Sequence, residues 1–258
     1  MREEPMPDQQ TRPLPVLRWT TRPSATVVYC LPYAGGVGRI FQPWASSAPP
    51  GIEIRSFVLP GRQERLGDPM YTTASALADD VAAAVLDDSQ GRPFAFFGHS
   101  MGALIAFETA RALRRRGGPQ PVVLSVSGRE APQAKDKRPP ISHLPDGEFA
   151  SVMVDYGGMP MDVLNNQDLL DMVLPALRAD FALCERYEYT EEPPLDCPLL
   201  VFSGADDPMV EAEGVRGWSE QTTKRSLVQT CAGDHFFLWQ HQATILDTIS
   251  RVVAARVR

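Results

Sequence analysis

Five short runs of aliphatic, aromatic and β-branched residues, almost unbroken by polar alternation, constrain this chain more than any other feature. They are TVVYCLP from Thr26, IRSFVLP from Ile54, FAFFGHS from Phe94, VVLSVSG from Val122 and LLVFSG from Leu199. A strand with one wet face alternates apolar and polar residues. A strand buried on both faces does not, and that is the condition of a parallel sheet covered by helices. A sixth run, RSLVQTCAG from Arg225, is more mixed and suits a strand nearer the sheet edge.

Helical patterns fill the gaps. Leu77, Val81 and Val85 share one stripe, and MGALIAFETARALRRR from Met101 is stopped by Gly117, Gly118 and Pro119. Ile245, Ile249, Val252 and Val253 form another one-sided stripe near the end. Strand, helix and strand joined by short links imply right-handed crossovers. The expected fold class is therefore α/β, with a mostly parallel central sheet flanked by helices. A Pro- and Gln-rich flexible tail is expected over 1–15, and a single domain over 16–258. From about 131 to 194 the rhythm breaks. A proline-rich lead (Pro132, Pro139, Pro140, Pro145) runs into helical patterns such as DLLDMVLPALRADFALCERY. This predicts a helical lid over the carboxyl edge of the sheet, with ordinary crossover helices as the alternative.

Charge and composition exclude several classes. A net charge of −7 argues against general affinity for nucleic acid or an anionic membrane. No run approaches the roughly 18 apolar residues of a membrane span. The opening MREEPMPDQQTRPLP has no apolar core of a signal peptide. Cys30, Cys184, Cys197 and Cys231 form no CxxC pair and read as small core hydrophobes, so no metal site is expected. These features together predict a soluble, reduced, cytoplasmic protein.

The chemistry centres on Gly98-His99-Ser100-Met101-Gly102, which closes an apolar run and opens a helix. Such a strand-to-helix turn exposes the serine hydroxyl in a strained conformation, and the glycines let strand and helix approach. A serine at its free pKa needs a base, itself oriented by an acid. Of four histidines, His99 sits inside the turn, His143 lies in the proline-rich lead and His241 starts the last helix. His235, just after the last strand run, is left as the base. Asp206 and Asp207 follow LLVFSG, and only one of two consecutive side chains can face His235. Asp207, three residues past Gly204 and fixed by Pro208, is favoured, with Asp206 as the alternative. Asp234 reads as a turn residue. The oxyanion needs two backbone amides: Met101 offers one, and Ala34 in Leu31-Pro32-Tyr33-Ala34-Gly35-Gly36 the other.

From about residue 17 onward the chain resembles the type II thioesterases that accompany modular polyketide and nonribosomal peptide synthases. The resemblance rests on Leu31 to Gly36, Leu59-Pro60-Gly61-Arg62 with Arg65, and Gly98 to Gly102. It continues through Ser127-Gly128-Arg129 with Ala131-Pro132, Leu144-Pro145-Asp146 and Gly157-Gly158-Met159-Pro160. It ends with Leu177-Arg178-Ala179-Asp180-Phe181, Trp218 with Thr222, and Gly233 to Leu238. Tyr33 departs from the histidine frequent there, which matters little if Ala34 supplies only an amide. The resemblance implies an α/β-hydrolase fold with a mobile helical lid. It implies hydrolysis of acyl thioesters on the phosphopantetheine arm of acyl or peptidyl carrier proteins, without a cofactor of the enzyme's own. It also carries over Ser100, Asp207 and His235 as triad, with Ala34 and Met101 as oxyanion amides.

Carrier proteins are generally acidic, and two groups of arginines bear on docking such a partner. Arg111, Arg114, Arg115 and Arg116 end one helix, and Arg62 and Arg65 follow a strand; the alternative for the first group is a solvated, dipole-matched helix end. Three other functional classes compete: a carboxylesterase acting on free esters, a cyclising thioesterase, and a non-catalytic binding module.

Overall fold

The strands expected from the apolar runs form in the computed structural model, which describes residues 13–19, 26–134 and 138–256. In chain order they are β1 (Val16–Arg18), β2 (Thr26–Leu31), β3 (Ile52–Phe57), β4 (Phe94–His99), β5 (Leu124–Ser127), β6 (Leu199–Gly204) and β7 (Ser226–Cys231). The α-helices are α1 (Gln42–Ser46), α2 (Ala74–Ser89), α3 (Met101–Arg115) and α4 (Asp146–Asp155), then α5 (Met161–Leu164), α6 (Gln167–Glu185), α7 (Ala212–Arg216) and α8 (Gln242–Arg256). The sheet order is β1-β3-β2-β4-β5-β6-β7, parallel throughout except where β1 meets β3. The mixed run lies at the edge as β7. β1 is too short to leave a pattern of its own; antiparallel pairing with β3 makes it a strand. Of the tail expected over 1–15, residues 1–12 lie outside the described residues, and Leu14 is already buried in the core.

The two-residue period of a strand explains the unbroken runs. Val27, Tyr29 and Leu31 of β2, with Phe94 and Phe96 of β4, face a layer made by α2 and α3. Val28, Cys30, Ala95 and Phe97 face Phe41, Trp44 and the α8 residues Ile245, Ile249 and Val253. Burial contributes roughly 1.5–3 kcal/mol for each large side chain, and it acts on both faces of each central strand. The helices begin and end where local chemistry directs. Thr73 caps α2 by accepting from the Ala76 amide. After α3, the amides of Gly117 and Gly118 bond back to Arg114 O and Leu113 O.

Between β5 and β6 the described residues contain no strand in the stretch 131–194. There α4, α5 and α6 build a small core of their own through Phe149, Met153, Leu174 and Leu177. Arg178 fastens α6 to the incoming chain, donating to Leu144 O at 2.7 Å and to Asp146 Oδ1 at 2.6 Å. Glu185 accepts from the Ile141 amide at 2.7 Å and the Ser142 amide at 3.0 Å.

The arginines at the end of α3 are engaged within the chain. Buried Arg111 pairs with Glu108 and Glu192, Arg114 and Arg115 pair with Glu192, and Arg116 reaches Asp79. They brace the segment returning from the helical insertion.

Candidate active site

Parallel strands end on one rim, so loops far apart in sequence meet there. Ala34 follows β2, Ser100 and Met101 follow β4, Asp207 follows β6 and His235 follows β7.

Ser100 stands between the last residue of β4 and the first of α3, with φ 55° and ψ −115°. A non-glycine residue held there costs about 1–3 kcal/mol and persists only when its surroundings insist. Here the Ser100 amide donates to Ser127 O at 2.8 Å, and Ser100 O accepts from the Ala103 amide at 3.0 Å. The flanking glycines are steric necessities. A Cβ on Gly98 would collide with Gly102 O and lie 2.6 Å from the Ala103 nitrogen. One on Gly102 would collide with Leu31 O and lie 2.7 Å from Pro32 O. The GxSxG spacing therefore brings β4, α3 and the end of β2 into backbone contact.

His235 is buried, and its Nδ1 lies 2.8 Å from Asp207 Oδ2. The other Asp207 oxygen accepts from the Met209 amide at 2.9 Å, and no part of that side chain is exposed. A carboxylate at Nδ1 assigns the proton to that nitrogen and leaves Nε2 as the basic one. Asp206, by contrast, is exposed. Asp234 turns the loop by accepting from the Phe236 amide at 2.9 Å. Ser100, His235, Ala34 and Met101 all line one cavity of about 700 Å³. Among the described residues no hydrogen bond joins Ser100 Oγ to His235; in unliganded enzymes such bonds are often long and tighten with substrate.

The other histidines have separate occupations. His99 is fully buried, with Nδ1 2.9 Å from Ser127 Oγ and its ring 5.0 Å from that of His235. Burial, with a smaller push from His235, holds its imidazole well below the usual histidine range, so it is a neutral support. His143 is exposed, and His241 Nε2 bonds Ala232 O at 2.9 Å.

In the loop after β2, the Gly36 amide donates to Tyr33 O at 2.9 Å and the Gly35 amide to Asp180 Oδ2 at 2.7 Å. The Ala34 amide has no partner among the described residues, although Ala34 lines the cavity. Sequence reasoning named Ala34 but missed the hold of Asp180 on its neighbour. It also considered Arg62 for docking, whereas Arg62 is buried against Asp180. Their separation of 118 residues leaves no local signal. The cue in the sequence is that both residues stand in motifs of the family resemblance, which pairs neither with the other.

The cavity wall mixes Tyr156, Phe181, Cys184 and Tyr187 from the stretch 131–194 with Arg129 and Met209. Burial pushes the Cys184 thiol up, which keeps it protonated. Among the described residues no cluster of His, Cys, Asp and Glu is placed to hold a metal ion. None of their helices is long and apolar enough to cross a membrane.

Comparison with known proteins identifies the family. A family model described as thioesterase domain matches residues 26–253. The chain is 39% identical over 240 residues to linear gramicidin dehydrogenase LgrE of Brevibacillus parabrevis, covering 90% of this chain and 91% of that one. It is 34% identical to the solved type II thioesterase BorB from the borrelidin biosynthetic cluster, with a TM-score of 0.84 over 94% of this chain and 97% of BorB. It is 30% identical to YbtT, a type II thioesterase from the yersiniabactin NRPS/PKS pathway, with a TM-score of 0.84 over 94% and 99% of the two chains.

Proposed function

This chain belongs to the thioesterase domain family, as a serine-type thioester hydrolase, and from that premise we propose that it frees acyl groups from carrier proteins of polyketide and nonribosomal peptide synthases. The observation that carries the reading is the Asp207–His235 pair beside a strained Ser100, all at one cavity.

Ser100 Oγ attacks the thioester carbonyl while His235 Nε2 takes its proton. Asp207 steadies the resulting imidazolium through Nδ1–H. The Met101 amide, at the start of α3, and the Ala34 amide hold the oxyanion. Collapse expels the phosphopantetheine thiolate, which takes the proton from His235. A thiol of pKa about 8.5 is a good leaving group, so this half-reaction needs little acid assistance. Water, deprotonated by His235, then attacks the acyl-serine ester and releases the carboxylic acid. Water is the sole co-reactant. The cycle clears stalled or incorrect acyl units from the phosphopantetheine arm, which lets the synthase resume.

The test is hydrolysis of an acyl-loaded carrier protein beside a free ester of the same acid. Wild type is expected to favour the carrier thioester in kcat/KM. Ser100→Ala is expected to lower turnover by on the order of 10⁴ to 10⁶. Near-intact carrier hydrolysis by that variant would remove the assignment. A clear preference for the free ester would replace it with a carboxylesterase.

A further inference from the structure

We infer that Arg62 and Asp180 are a positioning pair that aims the Ala34 amide at the oxyanion and docks helix α6 onto the oxyanion loop. The inference rests on the hydrolase reading above and goes beyond it in assigning work to two residues outside the triad.

Both residues are buried, each 6% exposed. Arg62 grips Asp180 with two parallel bonds, Nη1 to Oδ2 at 2.7 Å and Nη2 to Oδ1 at 2.9 Å. The pair then takes hold of the loop from both sides. Asp180 Oδ2 accepts from the Gly35 amide at 2.7 Å, and Arg62 Nη1 donates to Gly36 O at 3.1 Å. Arg62 Nε donates to Pro60 O at 3.1 Å, which anchors the guanidinium to the segment after β3. Gly35 has φ +73°, and a Cβ there would lie 2.7 Å from Leu177 Cδ1, so α6 also packs directly over the turn. With the amides of Gly35 and Gly36 occupied, the Ala34 amide is left without a partner among the described residues, in a residue that lines the cavity.

Charge makes the pair asymmetric. Asp180 sits one peptide from the amide that must meet a developing negative charge, and an unpaired carboxylate there would oppose it. Bidentate pairing with Arg62 removes that opposition while keeping the acceptor that Gly35 needs. Losing the arginine therefore harms the transition state more than losing the aspartate charge, although each change breaks the same salt bridge. A purely structural pair would show no such order.

The experiment measures the acylation burst of the full-length protein with p-nitrophenyl hexanoate, in parallel with steady-state hydrolysis of an acyl-loaded carrier protein. The variants are Arg62→Gln, Arg62→Lys, Asp180→Asn and the double variant Arg62→Gln/Asp180→Asn. Each is first checked for a cooperative thermal transition. The expected acylation rates fall about 100-fold for Arg62→Gln and about 10-fold or less for Asp180→Asn, with KM within about threefold. Arg62→Lys, which keeps the charge, and the double variant, which abolishes both charges, are expected to recover most of the Arg62→Gln loss. Wild-type acylation in folded Arg62→Gln, or equal losses for all four variants, would overturn the inference. Should wild type acylate from the ester yet leave the carrier thioester intact, the carrier reading would fail while the burst still judged this pair.

Discussion

A shift of one residue separates a carboxylate in solvent from one against an imidazole. Asp206 is exposed at the turn after β6, whereas Asp207 turns inward to His235 at 2.8 Å and is fixed from its other oxygen by the Met209 amide. Asparagine at 207 would keep the volume but lose the charge and invite the wrong imidazole tautomer. Asp207→Asn is therefore expected to lower kcat by on the order of 10³ to 10⁴. Asp206→Asn is expected to stay within about twofold of wild type, because nothing in the site touches that side chain. Steady-state kinetics on one acyl thioester decides this, and equal losses would return the two acids to competition. The sequence favours Asp207 on loop geometry, three residues past Gly204 and held by Pro208, and the family resemblance points to the same residue. The resemblance includes Asp180 among its motif residues but gives it no partner, because Arg62 and Gly35 come from loops far away in the chain.

At the scale of elements, the turn between β4 and α3 was legible because its constraint is local. Gly98 and Gly102 are glycine since the backbones of β4, α3 and β2 leave no space for a methyl group. Gly102→Ala places a Cβ 2.7 Å from Pro32 O, at the root of the loop that carries Ala34. Backbone on both sides cannot yield cheaply, so at least about 2 kcal/mol of stability should be lost. Activity should fall with it, since the two amides proposed to hold the oxyanion, those of Ala34 and Met101, flank that contact. Gly67→Ala is the control, for a Cβ there meets nothing within 4 Å. Urea midpoints of the two variants test the claim, and an unshifted midpoint for Gly102→Ala would refute it. Other elements were illegible for a physical reason. β1 owes its existence to pairing with β3, a long-range event that three residues cannot announce. In the stretch 131–194 the apolar positions of α4, α5 and α6 mostly serve a separate small core, while Leu183 joins the core beside the sheet.

At the scale of the whole molecule, stability gathers where distant segments share charge, and here pattern reading fails most. Glu53 and Arg55 lie in β3 among apolar neighbours, yet both are buried. Arg55 bonds Glu53 at 2.7 Å and Asp88 at 2.5 Å, and Asp88 also accepts from Tyr29 Oη at 2.6 Å and from Arg18 Nε at 2.9 Å. One carboxylate thus joins β1, β2 and β3 to the end of α2. Burial alone would raise the Asp88 carboxyl, but bonds from Tyr29, Arg55 and Arg18 outweigh it and hold it below its ordinary value. A carboxyl depressed in the folded state favours folding once both states are ionised. That contribution is present above the unfolded pKa of about 3.9 and disappears as pH falls through the lower folded value. Asp88→Asn leaves Arg55 with Glu53 as its remaining carboxylate, which should cost about 2–4 kcal/mol at pH 7. The same variant should lose less stability than wild type on acidification below about pH 4, because the group whose protonation opposes folding is gone. Urea unfolding at pH 7 and at descending pH values measures both effects. If the variant matched the wild-type acid slope, the acid sensitivity would belong to other carboxylates, and this junction would contribute only its neutral-pH pairing.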